Sequence, residues 1–184
     1  MRLGTAALVA LALALALPAG ACQDTSGINQ ALITTDTLTL AAPTADSAVT
    51  PSAIDVASVS HARFPERSSD ALLWDVALRK TGGALYFRPY PGSGTQIGAG
   101  INGPTSEDFA KLTTAPSRSN YGDSTVVVQE GKTYTVRSRQ VAELGTVCVH
   151  YAKLSPLVAN AAAGTVRIVL VSSAQCSDRR LTDN

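Results

Sequence analysis

The amino-acid sequence predicts an all-β domain, built as packed antiparallel sheets or a distorted barrel with one or two short helical turns. Short stretches such as "LLWDVALR" alternate apolar and polar residues, the period of a half-buried strand. Two late segments, "GTVCVHYAKL" and "GTVRIVLVSS", are among the most β-branched of the chain, a composition that suits a pleated surface. Between these stretches lie clusters of Gly, Pro, Ser and Asn of the kind that end strands and close turns.

At the N-terminus, Arg2 precedes "AALVALALALAL", Ala6 to Leu17, an uncharged core of about a dozen residues. That is the length of a secretory signal core and short of the roughly 20 residues a spanning helix needs. Pro18, Ala19, Gly20 and Ala21 then lead directly to Cys22. The arrangement resembles a bacterial lipoprotein signal. The resemblance implies that residues 1–21 are removed and that Cys22 is acylated, becoming both the first mature residue and the membrane anchor. The other reading is a secreted chain with Cys22 in a disulfide. The count of three cysteines favours the anchor, because it leaves Cys148 and Cys176 as an even pair in an oxidising compartment.

Residues 22–53 are rich in Thr, Ala, Ser, Asp and Pro, lack aromatics, and read as a tether. Within them "ITTDTLTL", Ile33 to Leu40, has the partial alternation of a first strand on the domain edge. The β domain itself is placed at 54–184. In "LLWDVALR", Leu72, Trp74, Val76 and Leu78 share one face and Leu73, Asp75, Ala77 and Arg79 the other. Trp74 is expected in the core and Asp75 as a strand-end hydrogen-bond acceptor. "ALYFR" returns after a Gly82-Gly83 turn. "STVVVQ" and "KTYTVRSR" read as two strands across Glu130-Gly131, with Tyr134 and Val136 facing opposite to Thr135, Arg137 and Arg139. "SEDFAKL" reads as a turn or two of helix. Ser155-Pro156 before "LVANAAAG" carries an N-cap, a proline at the first position and a terminal Gly164.

The last two strands set a geometric condition on the disulfide. A symmetric connection about Ser155 to Gly164 places Cys148 opposite Val171 and leaves Cys176 five residues, roughly 17 Å, too far along. A bridge needs Cα atoms within about 7 Å. Pairing Cys148 with Cys176 therefore requires an asymmetric connection, a bulge, or a chain that turns back after Ser173.

Charge and motifs exclude several functions. Removing the first 21 of the 184 residues leaves 163, enough for one domain, and leaves 14 basic against 14 acidic side chains. No basic stripe of the kind that binds nucleic acid is present. "GAGING", Gly98 to Gly103, matches the dinucleotide fingerprint in its letters, but Pro104 stands where a helix should run, so it reads as a flexible Gly-rich loop. No G-x-S-x-G elbow exists, His61 and His150 are the only histidines, and no metal-ligand spacing is found. A protein without catalytic or metal-binding residues is expected.

"LLWDVALRKTGG", "DFAKLTTAPSRSNYGDS", "GKTYTVRS" and "GTVRIVLV", in that order over roughly residues 70–175, resemble the HmuY-type haem-carrier lipoproteins of Gram-negative envelopes. The resemblance implies a lipid-tethered β domain at the outer membrane, on its periplasmic or surface face, that hands haem to an outer-membrane transporter without catalysis. Haem-binding members hold iron with paired His or Met from loops, whereas here Gly83 to Val147 contains neither. The candidate ligands are His61 with His150, or either one with Tyr86, Tyr90 or Tyr121. His150, flanked by Val149 and Tyr151, also reads as a solvated or edge residue of a strand. Two functions stand side by side. One is a carrier of haem or another flat apolar ligand, in a pocket lined by Tyr86, Phe87, Tyr90 and Tyr121. The other is a structural or interaction lipoprotein that binds no cofactor.

Overall fold

Alternating side chains give each sheet one apolar face, and two such faces bury each other in the structure. The computed structural model describes residues 33–43 and 49–182. Residues 1–21, Cys22 and the start of the tether lie outside the described residues. One antiparallel sheet has the order β1 (Ile33–Ala41), β14 (Thr165–Ser173), β13 (Tyr151–Asn160), β10 (Thr133–Arg137), β8 (Gly100–Thr105). The other has the order β3 (Ala62–Arg63), β2 (Ala53–Ile54), β4 (Val76–Thr81), β5 (Ala84–Pro89), β9 (Val126–Val127). Two small hairpins, β6–β7 (Gly92–Ser93, Gln96–Ile97) and β11–β12 (Val141–Glu143, Thr146–Cys148), complete the set. The packed-sheet form of the expected all-β fold is realised, and no sheet closes into a barrel.

The core draws Leu40, Val136, Leu154, Ile168 and Leu170 from the first sheet and Ile54, Val76, Leu78 and Phe87 from the second, all essentially inaccessible. Phe87 and Tyr134 meet edge to face across this layer, with ring centroids 5.3 Å apart. Strand β1 pairs with β14 over its full length, from Ile33 opposite Ser173 to Ala41 opposite Thr165. Thr81 and Ala84 flank the Gly82-Gly83 turn, whose φ values of 57° and 82° match a two-residue hairpin.

Four local expectations are overturned. Ser155 to Gly164 is not helical: Tyr151–Asn160 forms β13, and its alignment on β14 outweighs the capping signal. Pro156 is tolerated because β10 pairs no further than Leu154, and the extra residue Leu157 forms a bulge beside it. Gly164, which reads as a helix stop, instead ends the hairpin turn at φ 74°, while Asn160 Oδ1 accepts from the Ala163 N–H. "SEDFAKL" makes one turn, with Asp108 O accepting from Lys111 and Leu112, and the helical content among the described residues is the 3-10 turn Arg118–Asn120.

"STVVVQ" and "KTYTVRSR" do not pair with each other. Strand β9 joins β5 and β10 joins β13 and β8, so Gly131 turns the chain from one sheet to the other. "GAGING" is not a loose loop, since Gly100 to Gly103 lie within β8. Trp74 is buried as expected, but not on the Val76 and Leu78 face. The strand begins only at Val76, Leu72 and Leu73 are exposed, and Trp74 turns to Ala53, Ala77, Tyr90 and Ala99 on the outer side.

Cys148 and Cys176 are bridged, with Cα atoms 5.1 Å apart. Ala152 faces Ser172 and Leu154 faces Leu170, so paired numbers sum to 324, the sum of 148 and 176 as well. Strand β13 runs on to Asn160 opposite Thr165, so the turn Ala161–Gly164 sets a sum of 325, and the Leu157 bulge brings it to the 324 of the bridge. The bridge closes a 28-residue loop, which chain-entropy reasoning values at about 3 to 4 kcal/mol. The Cys148→Ser, Cys176→Ser double variant is expected to lose stability of that order in urea titrations. Non-reduced, alkylated protein from the periplasm should carry no label on either cysteine, and two labelled thiols there contradict the pairing.

Candidate functional site

The two histidines are buried, 2 % and 1 % exposed, and not at solvated edges. His61 precedes β3 and reaches across to the first sheet: Nδ1 lies 2.5 Å from Asp36 Oδ2 and Nε2 2.9 Å from Ser172 Oγ. Thr34 Oγ1 is also 2.8 Å from the Ser172 hydroxyl. His150 lies 2.7 Å from Glu143 Oε1 through Nε2 and 3.3 Å from Ser173 O through Nδ1. Each imidazole has both nitrogens at hydrogen-bond distance from protein groups, so neither offers a free lone pair to haem iron.

Nor do the candidate aromatics gather around one space. Phe87 fills the core against Tyr134, Tyr90 packs edge to face on Trp74 at 5.0 Å, and half-buried Tyr86 lies on β5 opposite Val127. Tyr121 sits apart, 5.9 Å from the Tyr151 ring. The expected haem set of His61, His150, Tyr86, Tyr90 and Tyr121 therefore does not fit haem in this fold. Among the described residues no group of three or more His, Cys, Asp or Glu side chains converges as metal ligands.

Asp36, His61 and Ser172 reproduce the connectivity of an acid–base–nucleophile chain, which no local motif announced. Its surroundings do not suit catalysis. Ser172 is 2 % exposed and shares its hydroxyl with Thr34, so an acyl carbon has no line of approach. The chain acts as a clasp that ties β1 and β14 to the loop before β3.

A second polar cluster lies deeper. Asp75, inaccessible to solvent, accepts from Val56 N at 2.7 Å, Arg139 N at 2.8 Å and Arg139 Nη1 at 3.0 Å. Asp55 accepts from Arg139 Nη1 and from Arg63 Nη2, each at 3.0 Å. Two carboxylates and two guanidiniums thus balance in charge. Burial raises the Asp75 pKa to about 6, against the pull of Arg139 and with help from the Asp55 charge.

One pocket of about 480 Å³ opens beside β8 and β10, within the size range of small-ligand sites. Arg137, 7 % exposed, lies at its floor, while exposed Gly122 and Asp123 mark its mouth. Gly98, Gly100 and Tyr121 line it between. A Cβ on Gly100 would stand 2.8 Å from Tyr121 Cβ and 3.6 Å from Arg137 Nε, so glycine there permits the close approach of both. Arg137 Nη2 donates to Gly98 O at 3.0 Å, but Nε and Nη1 are buried without a partner among the described residues, as is the Tyr121 hydroxyl. Burial lowers the Arg137 pKa, with neighbouring Arg118 adding to the effect, and it raises that of Tyr121 to about 12. The alternation in "KTYTVRSR" places Arg137 opposite the core face, but no sequence signal marks it as the floor of a pocket.

Two outcomes follow from these clusters. Asp75 has an unfolded pKa near 3.8 and a folded one near 6, so the pH-dependent part of its contribution is complete below about pH 4 and is lost as pH rises through 6. Asp75→Asn should flatten the wild-type decline between pH 4 and 6 in urea titrations, and an unchanged slope contradicts the shift. A fluorophosphonate probe should leave Ser172 unlabelled, and an adduct on that residue would overturn its assignment as a clasp. Comparisons with protein-family models, with curated proteins and with solved structures find nothing that matches this chain.

Proposed function

We propose that this is a non-enzymatic, lipid-anchored binding protein of the cell envelope, resembling the HmuY type in layout, whose ligand occupies the Arg137 pocket and is not an iron-ligated haem. The observation that carries the reading is that pocket: about 480 Å³ with a buried guanidinium at its floor, two of whose nitrogens lack an acceptor among the described residues. Left empty, such a cation costs folding energy that an apolar side chain would not. A bound ligand offsets that cost. Cys22 following a small-residue cleavage motif supports the anchor, and the Cys148–Cys176 bridge suits an oxidising compartment.

A second reading, an interaction lipoprotein, has one observation in its favour. The β11–β12 hairpin presents Leu144 fully exposed at a left-handed position, φ 48°, with exposed Val147 beside it, held by the disulfide at Cys148 and by Glu143 on His150. A large apolar side chain in that conformation is unfavourable for the isolated domain.

Amide spectra of the full-length chain with an envelope small-molecule extract, and a parallel haemin titration, test the proposal. The extract should shift the Gly98, Gly100 and Tyr121 amides, and haemin should show no sharpened Soret band. Shifts confined to Leu144 and its neighbours favour the interaction reading. A Soret band that His150→Ala abolishes returns the function to haem.

A further inference from the structure

Two arginines, two residues apart in the same segment, meet opposite environments. Arg139 has Asp55 and Asp75 within 3.0 Å. Arg137 forms no ion pair among the described residues, and of its five N–H groups only one on Nη2 has a recorded acceptor, the Gly98 carbonyl. Nη2 keeps a second N–H. Whichever edge the carbonyl takes, Nη2 with either Nε or Nη1 leaves a two-pronged edge unpaired.

Neighbouring groups are unsatisfied in the same place. Four side chains among the described residues have buried polar atoms without partners, and three of them are Arg137, Tyr121 and Thr135. Thr135 Oγ1 lies near the Tyr121 hydroxyl without a well-formed bond between them. Arg137 and Tyr121 line the cavity, and Thr135 adjoins Tyr121 behind it. Buried polar groups in folded proteins are nearly all paired, so two exceptions on one cavity wall point to a missing partner. The want here is for acceptors: a guanidinium and a phenol whose proton stays on throughout the ordinary pH range.

The geometry points to a small monocarboxylate as the ligand of this pocket, its two oxygens on the Arg137 fork and the Tyr121 hydroxyl donating to one of them. A planar carboxylate matches the fork, and a charge-assisted pair of this kind is stronger than neutral bonds. Arg137 is the buried cation of the site, and its neighbour Arg118 is exposed and screened by water. A monoanion is thus balanced in full and a dianion such as phosphate only in part, beside Asp123 at the mouth. Pro91 and Ile97 on the wall receive a short apolar body. This assignment rests on the pocket reading above and adds the ligand class to it.

Benzoate, benzamide and inorganic phosphate, titrated at constant ionic strength into the full-length protein, test the assignment by the Gly98 and Gly100 amides and the Arg137 Nε–H signal. Benzoate should shift all three saturably, and should bind at least tenfold more tightly than benzamide or phosphate. Arg137→Gln should lose at least tenfold in benzoate affinity. Tyr121→Phe, which keeps the ring against Tyr151, should weaken it several-fold and serves if the arginine variant does not fold. Benzamide as good as benzoate overturns the carboxylate assignment while the pocket reading stands, and a preference for phosphate overturns it likewise. Silence at Arg137 with all three probes, together with no effect of the envelope extract, removes both.

Discussion

The Asp75 carboxylate holds the sandwich together where apolar contact cannot. It lies just before β4 in one sheet and takes the backbone N–H of Arg139, just after β10 in the other, together with that residue's guanidinium and the Val56 N–H. Each bond is modest in water, but removing this acceptor strands two buried amides and takes from the Arg139 guanidinium one of its two carboxylates. Arg139 in turn holds Asp55, and Arg63 completes the set, so no member is buried without a partner of opposite charge. Such a network sets the relative placement of the sheets in a way that dispersion between Leu, Val and Ile faces does not, because hydrogen bonds are directional.

Two further cross-sheet ties repeat this logic. Tyr134 lies in the core layer, and its hydroxyl donates to Val127 O at 2.7 Å and accepts from Gln129 N at 2.9 Å, joining β10 to the β9 segment. His61 joins the loop before β3 to Asp36 and Ser172. The clasp recreates the connectivity of a hydrolytic site at a place without access. What separates a clasp from a catalytic chain is the room around the hydroxyl, and Ser172 has none.

Against that background Arg137 stands out by contrast. Arg139, Arg63 and the two histidines are each supplied with acidic partners by the fold, whereas Arg137 has one carbonyl and a cavity. Even Lys153, buried without an acidic partner among the described residues, has two carbonyl acceptors in Phe109 O and Leu112 O, whereas two nitrogens of Arg137 face open space, and open space is where a ligand enters.

The sequence by itself determined strands β1, β4, β5, β9, β10 and β14, the two-residue turn at Gly82-Gly83, the burial of Trp74 and the Cys148–Cys176 pairing, because alternation, glycine φ freedom and cysteine parity act over short ranges or through simple counting. Its errors were of one kind. Ser155 to Gly164 carries local helix signals, yet β14 offered a continuous ladder. Trp74 changed face because the strand starts at Val76, four residues after its apolar pattern begins at Leu72. The pairing of β9 with β5, the enclosure of His61 and His150, and the gathering of Tyr121, Gly98, Gly100 and Arg137 around one cavity depend on residues tens of positions apart. Only the tertiary structure decided them, since no local pattern specifies which distant backbone closes over a side chain and which leaves it a pocket.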